Sequence, residues 1–329
     1  MTHSFLTKRY RLNLACVLAL AIVVGLCGVF VEKSFYLTMM IYTGIYAIAA
    51  LGMFVLFGCA GQISIGQSAF FGLGAYATAY LAAKAGWPSL VVVLASVSLC
   101  AAFGLLVSRP LLRLSANYLA MGTLAFGAIC FIFFVQWRSI TGGLDPGIIA
   151  VPPFDLYGHA LTGARQMYWL VCVCLCLAMW GVLNILHSRI GRALRALNGS
   201  EVGSSGIGVD VVRYKVGAFT LAAAMSGLAG SLFAFYQSSF NASSFNVDLS
   251  IELLVMVVVG SVASPWGALA GALFVTVLPI ALEDFEQYKL LIYGLILTVV
   301  MIFLPDGVGR ALVDLIVGAT RRRSHDAGR

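Results

Sequence analysis

The chain has 329 residues, of which 61% are hydrophobic and only 10% are charged. Apolar runs of about twenty residues exclude an ordinary soluble domain and indicate helices that cross a lipid bilayer. The net charge of +7 is explained by basic loops beside anionic lipid, so membrane lipid is an expected partner and nucleic acid is not.

Ten apolar runs follow one another along the chain and predict an all-α, polytopic bundle of roughly eight to ten spans. The predicted spans are residues 12–31, 36–57, 62–82, 89–107, 117–135, 168–187, 216–235, 250–262, 266–282 and 290–304. The third run is rich in glycine and polar residues, and the eighth is short and ends at Ser264-Pro265. Each of these two could be a broken or re-entrant helix, so the predicted number of spans ranges from eight to ten.

The positions of Lys and Arg orient these spans. With ten spans and an internal N-terminus, fifteen of the 20 Lys and Arg residues lie on the cytoplasmic side and five outside, in keeping with the positive-inside bias. This predicts cytoplasmic tails at residues 1–11 and 311–329 around a transmembrane domain at 12–310. A basic run at residues 8–11 is similar to a signal peptide, but no small-residue cleavage site follows, so we expect a retained first span.

Residues 188–215 form a polar island between apolar segments, on the predicted cytoplasmic side. Its first half predicts an amphipathic helix on the membrane surface. The basic sector of that helix contains Arg189, Arg192 and Arg195, and the opposite apolar sector contains Ile190, Leu194 and Leu197. The sequence Asn198-Gly199-Ser200 ends this helix and can cap a second one that begins near Glu201. Without a partner, the island would only determine topology.

Catalytic and metal-binding patterns are missing from the sequence. It has no GxxxxGK phosphate loop, no HExxH and no GxSxG motif, so ATP hydrolysis would need another chain. The eight cysteines lie almost wholly in or beside apolar runs, and the four histidines are not placed for zinc, so no metal is expected. Among the acids, Glu252 comes closest to mid-membrane depth and is interpreted as a helix-start acid.

Four motifs, one of which contains the island, resemble the inner-membrane permeases of branched-chain amino acid ABC importers, in particular the M-type subunit. They are GQISIGQSAFFGLGAYATAYL, then NYLAMGTLAFG with ITGGLDPG, then SRIGRALRAL before RYKVGAFTLAAAMSGLAGSLFA, then GSVASPWGALAGA with YGLILTVVMIFLPDGVGR. The motifs occur in the family's order, and the resemblance extends over most of the transmembrane domain.

The resemblance implies that the island is the loop that couples the permease to its ATPase. In the family this loop contains a signature that docks on the ATPase subunit. The signature is Glu-x-Ala-Ala, followed by three residues of any type and then Gly. Here Glu201 and Gly208 keep the signature, whereas Gly203 and Ser204 take the paired alanine positions. The residues assigned to coupling are Arg189, Gly191, Arg192, Arg195, Glu201, Gly203, Ser204, Gly208 and Lys215.

The resemblance also implies a multi-pass protein of the bacterial inner membrane that is not an enzyme and binds no cofactor itself. Its partners would be a homologous second permease, which could be another chain or a copy, two subunits that bind ATP and Mg²⁺, and a periplasmic binding protein. Branched-chain amino acids are the implied substrates, with urea, amides and aromatic acids as related ligands. The alternative is a stand-alone ion-coupled carrier or channel, which would need an intramembrane charge and no ATPase dock.

Polar residues of the third and fifth runs are candidates for the translocation pathway. Broken helices expose backbone dipoles that can guide a zwitterion, although any one of these residues could equally serve helix packing. The candidates are Gln62, Ser64, Gln67, Ser68, Asn117 and Thr123. Close helix packing is the role expected of Gly227, Gly230, Gly267 and Gly271.

The turn-rich segment at residues 136–167 is too polar to span the membrane and predicts a periplasmic loop. It would dock the binding protein or merely connect two spans. The candidate docking residues are Thr141, Gly142, Gly143, Asp145, Glu283 and Asp284.

Overall fold

A computed structural model describes residues 17–303 and residue 307, with gaps at residues 32, 113–115, 146, 149, 157–158, 207 and 283–287. The two predicted tails, Glu283 and Asp284 lie outside these described residues.

The described chain is a helical bundle, as its composition predicts. In order, the helices are α1 (Val17–Phe30), α2 (Ser34–Met53), α3 (Gln67–Ala83), α4 (Ser89–Leu111), α5 (Ala116–Gln136), α6 (Arg138–Thr141), α7 (Ala164–His187), α8 (Arg189–Gly199), α9 (Glu201–Gly206), α10 (Val211–Gln237), α11 (Val247–Gly260), α12 (Pro265–Ala281) and α13 (Lys289–Phe303). A π-helical turn, Phe54–Cys59, extends α2, and a 3₁₀ turn, Ala242–Phe245, precedes α11.

Five helices in the described ranges are long and apolar enough to cross a bilayer: α2 with its π-helical turn, α4, α5, α7 and α10. Helices α11 and α12 are bent by 120° at residues 261–264 and make a sixth if they form one span. The apolar helices α1 and α13 are shorter, and α3 has 17 residues. A polytopic helical bundle is therefore confirmed, whereas the eight to ten spans and their orientation stay predictions.

Helix α10 crosses the interior of the bundle and packs against α2, α3 and α4, while α2 also packs against α7 and α12. Glycines permit these approaches, as predicted for Gly227, Gly230, Gly267 and Gly271. A Cβ atom on Gly230 would overlap the Phe71 carbonyl of α3, and one on Gly271 would overlap the Met256 carbonyl of α11. Small residues thus bring neighbouring backbones into direct contact.

The predicted third span is a broken helix. Its helical part, α3, begins only at Gln67, and residues 61–66 between the π-helical turn and α3 are not helical. Gly61 adopts a φ of +66°, which costs little for glycine. We call residues 61–66 the helix break. The sequence correctly indicated an interruption but extended the helix too far towards the N-terminus.

The segment at residues 136–167 contains short helix α6 and an antiparallel hairpin of β1 (Phe154–Leu156) and β2 (His159–Leu161), in which Phe154 pairs with Leu161. A further bridge joins Ile148 to Phe240, just beyond α10. Residue 136 ends α5 and residues 164–167 begin α7, and between them none of the described residues forms a helix long enough to span a membrane. The segment therefore covers one end of the bundle, beside the C-terminal end of α10.

Candidate coupling surface and translocation site

Helix α8 follows α7 after a single residue and is fastened to the end of that helix. Ser188 Oγ accepts a hydrogen bond from the Ile190 amide at 3.1 Å and so caps α8. Arg195 Nη2 donates to the Leu186 carbonyl at 2.9 Å, and Arg192 donates to the His187 carbonyl at 3.4 Å. Cations are favourable at a helix C-terminus, where carbonyl groups lack partners. Two of the three predicted basic residues therefore hold α8 in place, whereas Arg189 is exposed.

The buried face of α8 differs from the predicted apolar sector. Leu194 and Leu197 are buried as predicted, but Ile190 is 49% exposed and Gly191 takes its place. A Cβ atom on Gly191 would lie 2.6 Å from the Leu186 Cα atom, so only glycine permits this approach of α8 to α7. The predicted contact of Ile190 with the membrane surface stays a prediction, and hydrophobicity alone does not indicate the backbone contact at Gly191. The buried face rests on α7, α10 and the π-helical turn.

The last turn of α8 contacts the chain just before the helix break. Asn198 Nδ2 donates a hydrogen bond to the Gly58 carbonyl at 3.1 Å. A Cβ atom on Gly61 would lie only 2.6 Å from Asn198 Oδ1. A movement of α8 would therefore reach the chain that leads into α3 without an intermediate residue.

Helix α9 begins at Glu201, as predicted, with Ser200 Oγ accepting a hydrogen bond from the Gly203 amide at 3.1 Å. Glu201 forms an ion pair with Lys215 of α10, the one ion pair found among the described residues. The Glu201 side chain is still 53% exposed. Ser204 is buried, so it supports α9 from beneath.

Three exposed glycines lie in α9 or just after it, beside the exposed residues Glu201 and Ser205. Gly203, Gly206 and Gly208 are exposed. A Cβ atom on Gly206 or Gly208 would meet nothing within 4 Å, and one on Gly203 would meet only the Ser200 side chain. These glycines are therefore not required by packing inside the described chain, and they leave room for another molecule to approach closely.

Five of the six predicted pathway residues meet around the helix break. Gln62, Ser64, Gln67, Ser68 and Thr123 are all at most 3% exposed. Asn117 lies at the start of α5, two turns before Thr123, and nothing is described of its side chain. We call the five buried residues the polar cluster.

Two serines of other helices complete the polar cluster. Ser226 of α10 donates to Gln67 Oε1 at 3.0 Å, and Ser250 of α11 contacts both the amide and the hydroxyl of Ser68 at 2.8 Å. Sequence reasoning did not single out Ser226 or Ser250. Their only signal is that each is a hydroxyl in an otherwise apolar run.

Several polar atoms of the cluster have no hydrogen-bond partner in the described part of the chain. They are both amide atoms of Gln62, the Ser64 hydroxyl and Gln67 Nε2. Burying such a group unpaired costs about 1–3 kcal/mol, so packing alone does not explain them. Gln67 Nε2 also lies at the N-terminus of α3, where the helix dipole favours negative charge. The site is thus suited to a small polar or zwitterionic ligand.

The predicted docking residues of the segment at 136–167 differ in exposure. Thr141 is 2% exposed, and its hydroxyl donates to the Phe134 carbonyl at 2.6 Å. Gly142 and Gly143 each have a φ of +72° and form the turn after α6. Asp145 is exposed. Thr141 thus fixes the turn, and Asp145 is available on the surface.

The bundle, its broken helix and its capped surface helices are those of a membrane transport subunit, and the comparison with known sequences identifies the class. Residues 35–305 match the family described as Branched-chain amino acid transport system / permease component. The chain belongs to this family of permeases, which confirms the resemblance seen in the motifs.

Individual relatives agree with this assignment. The chain is 31% identical over 292 residues to the high-affinity branched-chain amino acid transport system permease protein LivM of Escherichia coli, which covers 81% of this chain and 68% of the relative. LivM of Salmonella typhimurium is 30% identical over 289 residues, with the same shares. LivH of Escherichia coli is 22% identical over 309 residues, 87% of this chain and 99% of that protein. No solved structure matches the chain significantly.

Proposed function

We propose that the chain is the permease subunit of an ABC importer that moves branched-chain amino acids across the bacterial inner membrane. Family membership supports the transport role, and the relatives are named as parts of high-affinity branched-chain amino acid transport systems. The observation that carries the mechanism is the contact of Asn198 in α8 with Gly58, beside the helix break. That contact joins a candidate ATPase dock to a candidate pathway.

The proposed partners follow from what this chain lacks and from what it resembles. Its similarity to both LivM and LivH supports a homologous second permease beside it. Two ATP-binding subunits would themselves bind ATP and Mg²⁺, with the ATPase docked on α9, and a periplasmic protein would deliver the ligand to the opposite end. Urea, amides and aromatic acids are alternative ligands, and the affinity of the cognate binding protein for each would distinguish them.

In this proposal the ATPase moves α9, and the displacement passes through folded elements only. The outward glycines of α9 allow close docking, and the Glu201–Lys215 ion pair ties α9 to α10. Helix α8 directly precedes α9 in the chain and contacts Gly58, beside the helix break, through Asn198. A disordered loop would absorb such a movement, whereas capped helices transmit it.

The polar cluster supplies the proposed pathway. Gln67 Nε2 is a buried, unpaired donor in the described chain, and Gln67 is the first residue of α3. An unpaired donor and a helix N-terminus both favour a carboxylate as ligand. Because the helix break directly precedes α3, a shift of residues 58–61 would change the position of Gln62 and Ser64. Pushing α8 would thus alter the part of the pathway that contacts the ligand.

A stand-alone carrier is the competing function, and Glu252 favours it. This acid lies in the second turn of apolar α11, not at the helix start as expected. An intramembrane carboxylate is what an ion-coupled carrier needs.

A charge exchange within the island tests the ATPase dock. We expect Glu201→Lys to abolish ATP-dependent uptake while membrane insertion stays normal, because the exposed carboxylate would contact the ATPase. Exchanging both partners, Glu201→Lys with Lys215→Glu, restores the internal ion pair but leaves the wrong charge facing the ATPase. The double variant should therefore remain inactive, and full recovery of uptake by the double variant would contradict docking through Glu201.

A further inference from the structure

A serine with a strained backbone lies between α11 and α12, at residues 261–264, which we call the bend. Ser261 directly follows α11, and its backbone has a φ of +149° and a ψ of 124°. Two other described residues besides the glycines have a positive φ, Ala150 at +62° and Ser238 at +58°. Both lie in the small left-handed region that such residues can reach. Ser261 lies far outside that region, where residues other than glycine are rarely found.

Neighbouring backbones hold Ser261 in this conformation. The residue is 2% exposed. A Cβ atom on Gly267, in the first turn of α12, would lie 2.6 Å from Ser261 Cβ, and one on Gly307 would lie 2.6 Å from Ser261 Cα. Both glycines therefore bring their backbone directly against the serine. Strain of this kind persists only where the surrounding structure imposes it, and it is concentrated at binding sites and switch regions.

The bend also contacts the chain beside the helix break. A Cβ atom on Gly58 would lie 2.6 Å from the Val262 carbonyl oxygen. Gly58 is the same residue whose carbonyl accepts the hydrogen bond from Asn198 of α8. A displacement of α8 therefore reaches the bend through two successive contacts, both of which are made by Gly58.

Helix α11, which ends at the bend, also holds the polar cluster. Ser250 Oγ donates a hydrogen bond to Ser68 Oγ and accepts one from the Ser68 amide, each at 2.8 Å. Gly260, the last residue of α11, follows Ser250 by ten residues, which is about 15 Å along a helix. A rotation of α11 by about 10° around the bend would therefore move Ser250 by about 3 Å, enough to break both hydrogen bonds.

We infer that Ser261 is a positioning residue for transport, because its strain favours the movement of α11 that opens the polar cluster. In the described arrangement Ser261 is strained and Ser250 is buried against Ser68. In the open arrangement the angle of the bend changes, Ser261 relaxes and Ser250 leaves Ser68. The inference deepens the proposed function and rests on it for the role in transport, whereas the strain and the opening are properties of this chain.

The reaction rate of a thiol at position 250 tests this opening in the assembled transporter without ATP. Ser250 is fully buried, so Ser250→Cys reacts with N-ethylmaleimide only after α11 has moved. Ser96→Cys is the control reporter, since Ser96 is equally buried and lies in α4, which packs mainly against α3 and α10. Mass spectrometry of the peptide that carries each reporter separates its labelling from that of the native cysteines.

Ser261→Gly removes the strain, because glycine adopts positive φ about as readily as negative φ. We expect this change to slow the labelling of Ser250→Cys about tenfold, which is the effect of backbone strain at the low end of its usual size. The labelling of Ser96→Cys should stay at its parent rate, since general unfolding is not what exposes position 250.

Two matched variants separate strain from other effects of the change. Ser261→Ala keeps the Cβ atom and the strain, and loses only the hydroxyl that accepts a hydrogen bond from the Ala263 amide at 3.3 Å. Ser264→Gly introduces the same flexibility into the bend at a residue with an ordinary φ of −140° and no capping hydrogen bond from its side chain. Neither variant should slow the labelling of Ser250→Cys.

Labelling of Ser250→Cys that is unchanged or faster in Ser261→Gly would overturn the inference. Equal slowing by Ser261→Ala, by Ser264→Gly or at the Ser96→Cys reporter would also overturn it. ATP-dependent uptake by the parent transporter reports separately on the proposed function. Uptake with unchanged labelling would remove the role of Ser261 and leave the importer, whereas slower labelling without any ATP-dependent uptake would leave the strained bend and remove the importer.

Discussion

Asn198 is the residue through which the surface helices touch the chain beside the helix break. Its side chain donates to the Gly58 carbonyl and lies against Gly61, at a place where a larger residue than glycine would collide with it. A hydrogen bond of this kind contributes about 0.5–1.5 kcal/mol to stability, which is small for folding. In this proposal the hydrogen bond matters because it joins α8 to the chain beside the helix break, and not because of its contribution to stability.

Asn198→Ala should therefore uncouple transport from ATP hydrolysis. We expect uptake per ATP hydrolysed to fall about fivefold, at the lower end of typical coupling between sites, because α8 loses its contact with residues 58–61. The measurement is uptake and ATPase rate on the same proteoliposomes.

Gly199→Ala is the matched control for Asn198→Ala, because a Cβ atom at Gly199 would meet nothing within 4 Å. It should leave the ratio of uptake to ATP hydrolysis near that of the parent. An Asn198→Ala transporter with an unchanged ratio would rule out this contact as the link.

Asn198 also marks the limit of what the sequence could predict at this scale. The sequence indicated Asn198 as part of a helix-ending signal, which the end of α8 at Gly199 confirms. Its partner Gly58 lies 140 positions away, and no local pattern points to so distant a contact. The backbone contact at Gly191 was missed for a related reason, since a residue without a side chain gives no signal in a hydrophobic pattern.

At the scale of elements, α9 is a short surface helix whose last glycine, Gly206, is exposed and has no packing partner in the described chain. Gly206→Leu should leave the fold of the chain intact and block the docking of the ATPase, since the added side chain would project into the contact. We expect complex formation, measured by co-purification of the ATPase subunits, to fall below detection.

Gly181→Leu in α7 is the control for Gly206→Leu, because a Cβ atom there also meets nothing within 4 Å. That variant should co-purify with the ATPase as the parent does. Normal co-purification of the Gly206→Leu variant would mean that the outward face of α9 is not the dock.

Helices α3 and α10 give the opposite case, in which glycines are required by packing. Gly230→Ala would place a methyl group against the Phe71 carbonyl, and overpacking of this kind costs about 1–3 kcal/mol. We expect a lower unfolding midpoint for the detergent-solubilised chain, followed by circular dichroism.

Gly217→Ala in the same helix α10 meets open space and should be neutral or slightly stabilising, because alanine favours helix. Equal midpoints for the two variants would contradict the close contact between α3 and α10.

The elements themselves were largely predictable, with exceptions that have a physical cause. Apolar periods predicted the long helices, and the glycines near Gln62 predicted the helix break. The hairpin of β1 and β2 was not predicted, because three-residue strands in a turn-rich segment leave almost no alternating pattern.

At the scale of the whole molecule, the polar cluster and the coupling helices follow one another along α10. The polar cluster lies around the helix break and is joined to α10 through Ser226, and α8 and α9 lie where α10 begins. This order suits alternating access, since a push on α9 and α8 acts on the inner boundary of the polar cluster. The orientation in the membrane was predicted from charge alone and would place α9 in the cytoplasm.

Reconstitution into proteoliposomes tests the central claim, that this chain is the ATP-driven permease of an importer. The chain, its second permease, two ATPase subunits and the binding protein are combined, and uptake of radiolabelled L-leucine is followed with and without enclosed ATP. We predict uptake only with the full set and ATP, and none by this chain alone under a proton or sodium gradient. Accumulation of leucine by the chain alone, driven by an ion gradient without ATP, would contradict the claim.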